Sequence, residues 1–267
     1  MTIFFFLGLF IIGTCFGSFL CCQARRLYLK SKGNKEKLGS RSICLSCHRK
    51  LKWYDNIPIF SWLFLRGKCR KCHKKIGILE FLSELGVGLA FLLIGTTINF
   101  ASASLLEWGI FFTTLLLTIF LSFLAIYDGM CGELPTIFLV ISIIIAFILA
   151  GLKIILTLKT VPLSHEIFLK PVISVSILGG LYFVLYAISK GEWVGDGDWL
   201  LGFSIGLALF EPFLSAIALF AANALACFVM LPILKKQKRQ KIYFGPFMVI
   251  TFVLVLSLQG LIFQNLI

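Results

Sequence analysis

Residues 104–135 read SLLEWGIFFTTLLLTIFLSFLAIYDGMCGELP, an apolar run with Glu107 as its one charge, then an aspartate, two glycines and a Leu-Pro pair. A helix rising 1.5 Å per residue needs about 20 such residues to cross the hydrocarbon core of a bilayer. The run 104–127 meets that requirement, and Asp128 stands where it ends. Working outward, similar runs occupy 2–24, 79–98, 133–152, 170–189, 199–211, 212–234 and 243–263. The sequence therefore predicts an all-α integral membrane protein with about eight transmembrane helices. The composition agrees: 59% of the 267 residues are hydrophobic and 14% charged, too little charge to cover a soluble domain. No basic stretch precedes the first run, and Arg25 and Arg26 follow it, so it reads as a retained span rather than a cleaved signal.

The charge is +13 and unevenly placed. Sixteen of the 25 Lys and Arg lie between Arg25 and Lys75, and five more between Lys235 and Lys241. Basic loops flanking spans are retained in the cytoplasm, and this reading favours membrane lipid over nucleic acid as the partner, with no nucleic acid expected. With 25–77 inside, alternation puts 22 positive charges in the cytoplasm, against Lys153, Lys159 and Lys170 outside. Two crossings in 199–234, broken at Glu211-Pro212, are needed to keep both basic ends inside. Three parts follow: a first transmembrane helix (1–24), a cytoplasmic tetracysteine loop domain (25–78) and a transmembrane core of about seven helices (79–267).

The loop holds Cys44-Leu-Ser-Cys47 and Cys69-Arg-Lys-Cys72, with 21 residues between the pairs. Two such knuckles can present four thiolates to one tetrahedral Zn²⁺, giving a zinc-ribbon-like fold to a segment with little core of its own. Two disulfides or free thiols are the alternatives, and a reducing cytoplasm disfavours the disulfides. Four sulfurs close the coordination sphere, so the expected role is structural. His48 and His73 each follow a motif cysteine and read as neighbours of the metal or as surface residues.

Only 12 residues are acidic. Asp128 closes one span, and Asp198 opens another in Gly195-Asp-Gly-Asp198, 70 residues later. The topology puts both at the cytoplasmic membrane face. Each alone reads as a helix-end polar residue, Asp198 as an N-cap. Together, at one depth and beside glycines, they are candidates for catalysis. Two carboxylates in hydrogen-bond reach share a proton, one activating water and the other donating to a peptide carbonyl. No Ser or Cys with a nearby His competes for the role of nucleophile.

Several motifs occur together and in order: Gly17-Ser-Phe-Leu20, the cysteine pairs, Trp53-Tyr-Asp-Asn-Ile-Pro58, Arg66-Gly-Lys-Cys69, Glu84, Asp128 with Leu134-Pro135, Gly195-x-Gly-Asp198 and Phe244-Gly-Pro-Phe247. In this combination the chain resembles the type IV prepilin peptidases, bifunctional leader peptidase/N-methyltransferases of the bacterial cytoplasmic (inner) membrane. The resemblance implies an aspartyl endopeptidase with Asp128 and Asp198 as its dyad. It also implies type IV prepilin or pseudopilin substrates with a short basic leader ending in glycine. S-adenosylmethionine would be the methyl donor for the new N-terminus, with Glu84 at the methyltransferase site. Thr136, Met130 and Leu79-Glu-Phe81 depart from the usual pattern, yet both aspartates are kept. Asp196 fills the variable place in the motif and carries no implied role.

Two other classes were weighed: a transporter using the aspartates as an ion site, and a zinc-loop membrane adaptor in which they are only caps. The aromatic stretch Trp53–Leu65 reads equally as an element lying on the bilayer and as packing around the cysteine loop.

Overall fold

The computed structural model describes residues 2–33, 43–44, 46–47, 49–99, 101–162, 164–192, 194–236 and 243–265. His48, part of the arm before Cys44 and most of the second basic run lie outside these. The chain forms two compact units, Met1–Leu92 and Leu93–Ile267.

The first unit contains α1 (Thr2–Ser31), a 3₁₀ turn (Trp53–Asn56), α2 (Phe60–Phe64) and most of α3 (Ile78–Gly95). α1 and α3 approach closely because small residues face each other. A Cβ on Gly13 would stand 2.9 Å from the Gly88 Cα, and one on Gly17 would stand 2.7 Å from the Glu84 Cα. In lipid, where no hydrophobic effect draws helices together, this close backbone approach supplies the packing. Arg25 on α1 pairs with Glu80 on α3. The two cysteine knuckles are built alike. Cys44 N–H donates to the Arg49 carbonyl and Cys69 N–H to the Lys74 carbonyl, each at 2.9 Å, and an antiparallel bridge brackets each pair, Ile43 with Lys50 and Lys68 with Lys75.

The second unit comprises α4 (Leu105–Cys131), α5 (Thr136–Thr160), α6 (His165–Val175), a π-helical turn (Ser176–Gly180), α7 (Leu181–Ser189), α8 (Asp196–Leu209), α9 (Pro212–Lys236) and α10 (Gly245–Asn265). A capping box starts α4: the Glu107 amide donates to Ser104 Oγ, and the Glu107 carboxylate accepts from the Ser104 amide. Gly132 stops it with φ +68, a conformation that suits glycine, and a Cβ there would strike the Tyr243 ring. α8 lies at the centre, touching α5, α6, α7, α9, α10 and the π turn. Its residues Leu201, Gly202 and Ser204–Leu209 are all buried.

Six helices among the described residues are long and apolar enough to cross a membrane: α1, α3, α4, α5, the continuous α6–π–α7 rod and α9. One of the eight expected spans falls short. The one expected at 199–211 is α8, 14 residues and so about 21 Å of rise, less than a hydrocarbon core of about 30 Å. α10 runs 21 residues, Gly245–Asn265, over the span expected at 243–263. The break expected before Pro212 is present. Phe210 takes a left-handed φ of 69° and ends α8, whose Ala208 carbonyl accepts from Lys153 Nζ at 2.6 Å. Lys170 pairs with Glu211 at 2.7 Å beside this break.

Candidate active site and metal centre

Asp128 sits in the last turn of α4, a helix built from Leu, Phe and Ile that keeps its buried face towards α5 and α10. Its side chain is buried and accepts at 2.9 Å from the backbone N–H of Gly245, the first residue of α10. Gly245 allows this approach, since a Cβ there would lie 2.9 Å from the same carboxylate oxygen. Asp128 is therefore more than a polar end residue, because its carboxylate ties together two helices far apart in sequence.

Asp198 occupies the third position of α8. The N-cap is Gly195, not Asp198, and the Asp198 carboxylate reaches back to accept the Gly195 N–H at 3.1 Å. Helix N-termini expose free amides that favour an acceptor here. One carboxylate oxygen is thus occupied by the cap. Gly197 packs on Leu134, where a Cβ would come within 2.7 Å of the Leu134 Cβ, so the Gly-x-Gly-Asp turn rests on the Leu-Pro that follows Asp128. Asp196, one turn position earlier, is exposed.

Two further residues border this site and were not singled out from the sequence. Tyr182 on α7 is buried, its ring 5.3 Å from that of Phe244, and its hydroxyl accepts from Asn223 Nδ2 at 3.0 Å. Asn223 was the available signal: an amide in an apolar span needs a partner and marks a polar site.

In the other unit, Cys44, Cys47, Cys69 and Cys72 converge, with all four sulfurs within 4.8 Å of one another. The Cys44 and Cys72 sulfurs are 3.8 Å apart. Zn–S bonds of about 2.3 Å in a tetrahedron place ligand sulfurs about 3.8 Å apart, so the arrangement fits a metal. A disulfide needs sulfurs about 2.05 Å apart, and all four cysteines are free thiols. His73 is exposed and does not join the four sulfurs.

Asp55 clamps this region. Its side chain, 3% exposed, pairs with Arg49 and with Arg70 Nε at 2.9 Å, and accepts from the Lys52 N–H at 3.2 Å. Burial alone would raise its pKa, but the Lys52 amide and the two guanidiniums outweigh it and hold the carboxyl below its ordinary value. Glu84 is buried on α3 and accepts the Ile59 N–H at 2.6 Å.

Comparison with known proteins defines the class first. Residues 11–98 match the bacterial peptidase A24 N-terminal domain, here within a helical, multi-pass membrane protein. Over 201 residues, 74% of this chain and 82% of the other, it is 31% identical to a prepilin leader peptidase/N-methyltransferase of Klebsiella pneumoniae. It is 28% identical over 245 residues, 86% of each chain, to the protein of the same description from Vibrio cholerae serotype O1. A third such protein, from Dickeya chrysanthemi, is 28% identical over 215 residues. The chain belongs to the prepilin leader peptidase/N-methyltransferase family. No solved structure matches it.

Proposed function

We propose that this protein removes the short basic leader of type IV prepilins or pseudopilins after glycine, at the cytoplasmic face of the bacterial inner membrane, with Asp128 and Asp198 as an aspartyl dyad. The observation that carries the reading is the pair itself: two carboxylates at helix ends, in one unit, each held by a glycine backbone amide, with Gly197 beside Asp198 packed on the Leu134 that follows Asp128. Such a pair shares one proton. The ionised member takes a proton from water as the water oxygen attacks the scissile carbonyl. The protonated member donates to the carbonyl oxygen and then returns a proton to the leaving amine, so no covalent intermediate forms. The Gly245 and Gly195 amides fix the two carboxylates for this exchange. The concentration of Lys and Arg in the loops that alternation assigns to the inside supports the cytoplasmic orientation. In this reading residues 79–267 form the protease core, and the segment 25–78 is a cytoplasmic domain organised by a structural zinc held by the four cysteines.

Replacing Asp128 or Asp198 by Asn leaves an isosteric side chain that cannot exchange the proton. Each variant is expected to lose cleavage of a co-expressed prepilin by about 10³-fold or more, read by mass spectrometry of the substrate. Cleavage at the wild-type rate by either variant rejects the dyad.

N-methylation of the new N-terminus accompanies cleavage in this reading, with S-adenosylmethionine supplying the methyl group. Glu84 is the residue we assign to that cofactor, because a buried carboxylate suits the cofactor's cationic sulfonium and ammonium. Glu84→Gln keeps an oxygen to accept the Ile59 N–H and removes only the charge. It is expected to cleave normally but to yield unmethylated product, visible as a 14-dalton deficit per chain, a methylene's mass of about 14 Da, in the same spectra. Full methylation by this variant removes Glu84 from the role.

A further inference from the structure

We propose that the Trp53–Leu65 segment is a bilayer-docking element, with the Phe60–Leu63–Phe64 face of α2 seated at the boundary between lipid headgroups and acyl chains. The proposal does not depend on the protease chemistry. It rests on where α2 is anchored and what it leaves exposed.

The anchor is α3, a helix long and apolar enough to span the membrane. On one side of α2 the Trp62 ring packs on Phe81, ring centres 4.8 Å apart. The Ile59 N–H, entering α2, donates to Glu84 Oε2 at 2.6 Å. Ile59 takes a φ of 63°, an outlier for a β-branched residue, and the Glu84 bond holds the turn that lays α2 against α3. Behind α2, Gly67 closes the chain over Trp62 with φ +64 and no room for a side chain. Phe81 and Glu84 fall in the first two turns of α3. Six residues of rise from Ile78 to Glu84 come to about 9 Å, comparable to the depth of one headgroup layer. α2 is therefore held at interfacial depth.

On its other side α2 presents Phe60, Leu63 and Phe64, which are 60%, 51% and 83% exposed. Their i, i+3, i+4 spacing makes them one face. Trp53 and Ile57 are exposed in the preceding turn. Packing around the cysteine knuckles would have buried this face, and it has not. Exposed cations follow directly in sequence: Arg66, Lys68, Lys71, Lys74 and Lys75. Aromatic residues with adjoining basic groups match an anionic bilayer surface, with apolar rings in the acyl boundary and charges among the phosphates. The occupant is thus lipid, continuous with the bilayer that α3 itself spans.

The test uses the full chain reconstituted into phosphatidylethanolamine–phosphatidylglycerol vesicles, with Phe64→Trp as a reporter. The wild-type signal of the five native tryptophans is subtracted. Circular dichroism equal to wild type shows that the variant is folded, and Phe60→Trp serves as a second reporter on the same face. Brominated acyl chains are expected to quench the added tryptophan severalfold more than the native background, with acrylamide ineffective from the water side. Quenching by acrylamide instead would place the face in water and overturn the proposal. Resistance to both quenchers would mean that protein covers it, which also overturns it.

Discussion

In the tetracysteine segment the ligands of each knuckle lie three residues apart, and one N–H···O bond of identical register closes each loop around its pair. Asp128 and Asp198 are instead separated by 70 residues, and each relies on a different helix end: the start of α10 for Asp128, its own first turn of α8 for Asp198. The first region is a local structure repeated twice, its four sulfurs brought together as a metal would need. The second exists only once α4, α5, α8 and α10 have packed. The difference teaches that a site coded by short spacing can be disturbed by changing one ligand, whereas one coded by topology is disturbed through the helices that hold it.

The largest effect that separates the two regions should come from the metal. Cys44→Ser is expected to lower bound zinc from close to one per purified chain to a small residue, because binding contributes about 10 kcal/mol or more to folding a site of this kind. Helical content, set by the spans, should barely change. A fully metal-free wild-type preparation with normal activity and an intact segment would break the comparison on this side.

A smaller effect is expected from the clamp. Asp55→Asn leaves Arg49 and Arg70 without their carboxylate, a loss of about 1–2 kcal/mol given that both guanidiniums can still reach water. Protease sensitivity of the segment should rise accordingly. Because the folded Asp55 carboxyl titrates below its ordinary value, its stabilisation is present above about pH 4, the unfolded value, and disappears as the pH falls through the lower folded value. The wild type should therefore become more sensitive in acid and approach the variant, while an unchanged difference at low pH would reject the clamp.

The smallest effect is expected at Asp196, which is exposed, while Asp198 is the residue that makes the cap interaction. Asp196→Asn should cleave within about twofold of wild type, the ordinary scale of surface substitutions. A loss as severe as that of Asp198→Asn would move the catalytic assignment by two residues.

Much of this was legible beforehand. The apolar runs located the long helices, and Glu211-Pro212 marked a real break, because proline and chain polarity act locally. The cysteine pairs were legible for the same reason. α8 was legible as a short apolar run at 199–211, but its burial was not, because that comes from neighbours that hydropathy does not reveal. The N-cap alternative for Asp198 taken alone does not hold, since Gly195 has that place and the carboxylate bonds back from the third position, a shift of three residues that helix-start signals do not resolve. Which of sixteen basic residues Asp55 would choose was also hidden, since Arg49 and Arg70 approach it through the folded knuckles. Gly13-x-x-x-Gly17 was in plain view as a small-residue helix contact, yet only the packing on Gly88 and Glu84 shows its partner.

Cleavage rates of a purified prepilin by Asp128→Asn, Asp198→Asn and the double variant measure whether the two carboxylates work as one unit. The account predicts that either single change costs nearly all the activity and that the second adds almost nothing, as for groups that share a step. Losses that multiply would show two independent contributors and contradict it.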